Sequence, residues 1–359
     1  MRSSFKQKLI PLWQTYSSPG QPTRATLEKA LYVIYGLWFA AFALKLIGSS
    51  WDASWHFRYL RDDLAPPHTI NAIGTTLVVM LVMFHTWTGY GVDRLSLRLM
   101  QAGIGIFLLA IPLDLLNHRL FGLDMTSWSP THALLYLGTA VMLMGVIRGW
   151  LLLARPGLAR TGLALAFGTF FLENILFPLC QQEYGVLSLA ALNAGRPTAD
   201  AELLAVAGAN AAQFVVPVPA WVYPLWLVVA GGMVLLAARL VMGGRWTATT
   251  VAGTYLVYRS ISYGLLSATG FPPSYIPFIL LGTALAIDLA VMWRWRPVVG
   301  TLAVIGATYA GAWLTQQVTL MPPFHLATAP MAALLLWSVW ASARWAQQSS
   351  TVARWTKLV

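Results

Sequence analysis

The chain has a single cysteine, Cys180, in 359 residues. That count excludes an intramolecular disulfide and a thiolate cluster, so any metal site has to be built from nitrogen and oxygen. Charge is equally scarce. Only 10% of residues are Asp, Glu, Lys or Arg, against about 25% in a soluble domain. No Walker loop, Gly-x-Ser-x-Gly elbow, His-Glu-x-x-His helix or Gly-x-Gly-x-x-Gly turn occurs in a useful context, which argues against ATP-driven transport and serine hydrolysis. A cleavable signal peptide is not expected, because residues 1–27 are polar and basic with no apolar stretch before the first long helix. The apolar runs do not alternate with polar residues and are too long for barrel strands.

What the chain has instead is hydrophobic length. It is 58% hydrophobic with a mean hydropathy of +0.64, in long apolar runs broken by short polar turns. This pattern predicts an all-α polytopic membrane protein with about ten transmembrane helices. The spans fall near 28–49, 69–90, 97–117, 131–153, 160–178, 219–241, 247–267, 273–293, 298–317 and 325–346. Each has roughly 18 or more mostly apolar residues, enough for a ~30 Å hydrocarbon core. The expected organisation is a basic tail (1–27), a four-helix half (28–153), a fifth span with a long loop (154–218), a five-helix scaffold half (219–346) and a short tail (347–359). Within the loop, Ser188–Ala194 and Ala199–Gln213 read as surface helices or a lid.

Placing the N-terminus inside puts most of the 23 Lys and Arg residues in inner segments, leaving Arg58, Arg61, Arg119 and Arg196 outside. The asymmetry predicts cytoplasmic termini in a plasma (bacterial inner) membrane. It also accounts for the formal charge of +11 without a nucleic-acid partner. The lipid bilayer is the expected partner. Acids and imidazoles concentrate on the outer, extracytoplasmic rim. Five of the six histidines lie there, and only His85 is deep in a span.

One pattern occurs twice on that rim. Asp52-Ala-Ser-Trp-His56 is followed by Pro66-Pro67-His68, and Asp114-Leu-Leu-Asn-His118 by Pro130-Thr131-His132. An acid and a histidine at i and i+4 share one helix face. Proline suits the first turn of the next helix, which fixes the second histidine at its mouth. Each hairpin therefore brings one carboxylate and two imidazoles to one depth. Asp52, His56 and His68 form one candidate metal triad, and Asp114, His118 and His132 a second. Three ligands leave a position for water or substrate, as catalytic sites require. Two imidazoles and a carboxylate suit copper, zinc or iron.

Asp62 and Asp124 are candidates to orient the imidazoles. His325, after Pro322-Pro323, is a candidate extra ligand. Glu173 is either a further carboxylate ligand or the ion-pair partner of Arg259, because intramembrane charges are costly and usually paired. Asp288 is expected to pair with Arg294 or to face a cavity. The twelve methionines read as core filler, and Trp51, Trp55 and Trp128 as interfacial anchors. The competing account of the repeat is an acid–imidazole hydrogen-bond network that staples hairpins together.

Asp52-Ala-Ser-Trp-His56, Arg61-Asp62 and Pro66-Pro67-His68 resemble the Asp-x-x-Trp-His … Arg-Asp … Thr-Pro-x-His signature of the C subunit of copper membrane monooxygenases, the particulate methane and ammonia monooxygenases. The second copy shares the tail of the motif, Trp128-Ser129-Pro130-Thr131-His132, but lacks the Arg-Asp. The resemblance covers about 20 residues per copy. It implies that Asp52, His56 and His68 ligate copper within the membrane, in oxygen chemistry that also needs an electron donor and other membrane subunits. The function expected from the sequence is metal-dependent oxidation of a small or lipophilic substrate, with copper favoured. A zinc-dependent membrane hydrolase and a metal transporter, chaperone or structural subunit are the alternatives.

Overall fold

The fold was read from a computed structural model that describes residues 16–59, 65–121, 127–196, 205 and 218–348, apart from the side chains of His118, Phe121 and Gln348. Every described element is helical. Apolar side chains all round a segment leave the backbone with no water to bond to, and a helix satisfies those groups internally. The helices are α1 (Glu28–His56), α2 (Pro66–Thr88), α3 (Arg94–Phe121), α4 (Pro130–Leu153), α5 (Leu158–Leu176), α6 (Cys180–Asn193), α7 (Val222–Met242), α8 (Thr247–Ala268), α9 (Ile279–Met292), α10 (Pro297–Val318) and α11 (Ala329–Gln348). α7 carries one π-helical turn at Leu227–Gly231.

The chain is an integral membrane protein. Among the described residues, eight helical segments are long and apolar enough to cross a bilayer. All ten expected spans overlay helices, and two of them fall outside that group. α8 has the length, but Arg259 and a run of hydroxyl residues make it more polar. α9 is apolar but has only 14 residues, because Phe271–Pro277 ahead of it holds three prolines and is not helical.

The boundaries follow local chemistry. α2, α4 and α10 each begin with proline in the first turn, where the missing N–H costs nothing. Ser129 caps α4 by accepting from the His132 amide. Gly89 ends α2 in the left-handed conformation, with φ of 69°.

Two apolar cores form. α1–α4 surround one, through residues such as Trp38, Val78, Met100 and Val146. α7–α11 surround the other, through Leu235, Tyr255, Ile287 and Trp340. α5 belongs to both, with Phe167 in the first and Leu172 in the second. Within the first half the packing is by hairpins, α1 on α2 and α3 on α4. Glycine lets the second hairpin close. A Cβ on Gly138 would lie 2.7 Å from the Phe107 amide nitrogen, and one on Gly103 would lie 2.5 Å from that of Met142. Backbones approach this closely in membranes through small residues.

Polar groups deep in the bundle are tied to one another. His85 accepts from the Trp38 indole at 3.0 Å through Nε2, while its Nδ1 lies 2.7 Å from the Tyr90 carbonyl and donates to it. Lys45 donates to Asn71 and Thr75 and sits 3.7 Å from the Phe107 ring centroid. Asp288 pairs with Arg239 at 3.1 Å and accepts the amides of Ala248 and Thr249 at the start of α8. The expected Arg294 partner is thus replaced by Arg239 and a helix N-terminus, which a carboxylate complements.

The largest such group ties α8 to α5 and α6. Arg259 of α8 bonds Glu183 of α6, and its Nη1 lies 3.4 Å from Glu173 of α5. It also donates to Ser274, and Tyr223 donates to Glu183 at 3.1 Å. α6 is buried at its start and emerges towards its end, where Leu189–Ala194 of the expected surface stretch are half-buried or exposed. Its first residues, Cys180–Gly185, are buried, and Tyr184 donates to the Ser50 carbonyl of α1. The Ala199–Gln213 stretch lies largely outside the described residues.

Two stability predictions follow from these contacts. Gly138→Val should overpack the α3–α4 contact and cost at least about 1–3 kcal/mol. Gly105→Val, where a Cβ meets nothing within 4 Å, should be near neutral in the same thermal unfolding assay in detergent. Arg259→Met should cost about 3–5 kcal/mol by stranding two buried carboxylates, and adding Glu173→Gln and Glu183→Gln should recover much of the loss.

Candidate metal centre

Asp52 and His56 lie one turn apart near the end of α1, and His68 is the third residue of α2. The hairpin folds the start of α2 against the end of α1. Asp52 Oδ1 stands 2.8 Å from His68 Nε2 and 3.4 Å from His56 Nε2. The three ligand atoms all lie within 4.8 Å of one another, and among the described residues no other three His, Cys, Asp or Glu side chains converge in this way.

Asp52 Oδ1 is out of contact with solvent, between the two imidazole nitrogens. Without an ion the same contacts make an acid–imidazole staple, with an N–H aimed at that oxygen. Ligands around an ion instead aim their lone pairs at a common point. At metal–ligand distances near 2.0–2.1 Å, donor atoms lie roughly 2.8–3.4 Å apart, and the two Asp52–imidazole distances have that spacing. The imidazole rings are 5.7 Å apart at their centroids and inclined by 40°, so neither stacks on the other. The donor set and its geometry therefore fit a divalent ion. His56 keeps 40% of its side-chain surface and His68 27%, which leaves one face accessible.

The neighbouring face of α1 is aromatic. Trp51 and Trp55 both pack on Phe271, with centroids 5.9 and 5.5 Å away. Trp128 packs edge-on against Trp226 at 5.1 Å. The three indoles are half-buried, each with one side against another aromatic ring. Ser54 donates to the Pro272 carbonyl, and the Ser50 and Tyr258 hydroxyls bond each other. These contacts fix the rotation of α1, and with it the direction of Asp52 and His56.

The second repeat is built on the same hairpin plan with a different interior. His132 Nε2 lies 3.6 Å from Asp114 Oδ1, and the Thr131 hydroxyl donates to that same oxygen at 2.7 Å. The His118 backbone continues α3, and its side chain lies outside the described residues. Asp62 and Asp124 also fall outside them. Glu173 is held by Arg259 and is not part of the triad. His325 is exposed at the turn before α11, where its carbonyl accepts from Thr328, and it joins no ligand group. Glu183, read from the sequence only as one more outer acid, is a buried partner of Arg259. Its position ten residues after Glu173, on a nearly continuous helical stretch, was the available signal.

No protein-family model, curated protein or solved structure matches the chain. The centre is therefore interpreted from its own donors and geometry.

Elemental analysis of detergent-purified protein should find one divalent transition-metal ion held by the first triad. Asp52→Asn and His68→Ala should each weaken retention by more than the roughly 10–100-fold typical of losing a group that merely orients a ligand. Equal metal content in wild type and both variants would show that the ion is held elsewhere.

Proposed function

We propose that this protein is a membrane metalloenzyme in which Asp52, His56 and His68 hold a copper ion used to oxidise a small or lipophilic substrate. The observation that carries the reading is the convergence of one carboxylate and two imidazole ligand atoms within 4.8 Å of one another, beside an accessible face. Two imidazoles and one carboxylate without thiolate suit copper, zinc or iron. Copper is chosen among them on the resemblance of the same residues to the C-subunit pattern of copper membrane monooxygenases. The Lys/Arg asymmetry supports cytoplasmic termini and a site on the extracytoplasmic side of the plasma membrane.

In this reading the ion supplies a reversible change of oxidation state. Asp52 offsets its charge, the hairpin fixes the two imidazoles, and the open face admits substrate. In the second repeat Asp114 and His132 stand 3.6 Å apart, and the ion is assigned to the first repeat. Oxidation by oxygen requires electrons from outside the chain, so a donor or partner subunit belongs to the reaction.

A zinc-bound water performing hydrolysis is the second reading, since three protein ligands with an open position also suit zinc. Transport is less well supported. The deep polar residues Lys45, Glu173, Arg259 and Asp288 are tied into local pairs and networks and do not line a path.

The test is oxygen uptake by copper-loaded protein in vesicles supplied with a lipophilic quinol as reductant. The proposal predicts uptake that disappears in His56→Ala and is absent from zinc-loaded protein. Uptake unchanged by His56→Ala would refute it, and retention of zinc alone from cells would favour hydrolysis.

A further inference from the structure

A second feature lies at the same end of the bundle and is independent of what the triad binds. Between the end of α1, α6 and the end of α8 is a cavity of about 700 Å³. Arg58 and Arg196 rim it, Leu187 and Phe271 wall it, and Ser188 lines it. Ser188 is 5% exposed, yet its hydroxyl is buried without a hydrogen-bond partner. Such an orphaned group beside a roomy cavity calls for a ligand atom or water.

The arginines are suited to an anion. Arg58 is fixed by donating to the Gly270 carbonyl, and its guanidinium lies 5.2 Å from the ring centroids of both Tyr59 and Phe271. A guanidinium held in this way keeps further N–H donors for a second acceptor. Among the described residues neither Arg58 nor Arg196 pairs with a carboxylate.

A second, apolar groove lies on the same helix. Further along α8, a groove of about 510 Å³ is lined by Gly253, Leu256, Val257, Ile261 and Phe278. Leu256, Ser260, Tyr263 and Ser267 follow one another at three- and four-residue spacing, so one stripe of α8 runs from the groove to the arginine-rimmed cavity. At 1.5 Å per residue, Leu256 and Ser267 stand about 16 Å apart along the helix. Gly253 and Gly264 leave open space along it, since a Cβ on either would meet nothing within 4 Å.

We propose that the cavity and groove together form a binding site for an anionic membrane lipid. Its phosphate head would lie between Arg58 and Arg196 within reach of the Ser188 hydroxyl, and an acyl chain would lie along α8. A free anion has no use for the groove, and a neutral lipid has no use for two arginines around a buried hydroxyl. Charge complementarity at one end and apolar length at the other select a molecule carrying both.

The test is native mass spectrometry of the full chain released from neutral detergent after titration with phosphatidylglycerol or phosphatidylcholine. Wild-type protein should retain one phosphatidylglycerol about tenfold more strongly than phosphatidylcholine, the factor that one charge-assisted contact of about 1.4 kcal/mol supplies. The Arg58→Gln/Arg196→Gln double variant should lose that preference. Gly253→Phe, which fills the groove at an open position, should weaken retention of both lipids while leaving thermal unfolding unchanged. Equal retention of the two lipids by wild type, or a preference that survives in the arginine variant, would overturn the proposal. Displacement of the lipid by millimolar inorganic phosphate would overturn it too, by showing a site for a free anion.

Discussion

A charge or an unpaired peptide group inside hydrocarbon has no water to turn to, and this constraint organises the molecule. It makes every described element a helix, and it makes the deep polar side chains seek one another. Lys45 finds an amide, a hydroxyl and a ring face. Asp288 finds a guanidinium and the first amides of α8. Arg259 finds two carboxylates from two other helices and so ties α8 to α5 and α6. Nearer the end of α1, Asp52 Oδ1 is buried between two imidazole nitrogens 2.8 and 3.4 Å away, the arrangement that the proposed ion would occupy.

The hairpin architecture then accounts for the site. An Asp–His pair at i and i+4 lies on one face of α1, and the Pro-Pro start of α2 places His68 opposite. The contacts of Ser50, Ser54 and Tyr184 lock the rotation of α1 from its other side. The ligand face is thus set by packing several helices away, including the loop after α8 and the buried start of α6. The arginine-rimmed cavity uses the same loop, since Phe271 both packs on Trp55 and walls the cavity.

Much of this was legible in the sequence because membrane folds read out through length and composition. The positions of the helices follow from runs of apolar residues, and the triad follows from spacing, since i and i+4 share a face whatever surrounds them. The Glu173–Arg259 pair was legible because both residues sit at similar depth. What the sequence did not reveal was set by tertiary contacts between distant segments. Glu183 looked like a loop acid because α6 is weakly apolar, and only packing against α1 and α8 buries it. Asp288 was nearer in sequence to Arg294 than to Arg239, but α7 and the start of α8 pack beside it. The contact of Trp51 and Trp55 with Phe271, more than two hundred residues away, had no signal in the sequence. The repeat in sequence also concealed a difference, for Thr131 bonds Asp114 where proline stands in the first copy.

The central claim is that Asp52, His56 and His68 converge on one ion. Electron paramagnetic resonance of protein loaded with a single equivalent of Cu(II) tests it most directly. The account predicts superhyperfine splitting from two imidazole nitrogens, reduced to one in His68→Ala and in His56→Ala. A spectrum without nitrogen splitting, or one that neither substitution changes, would contradict it.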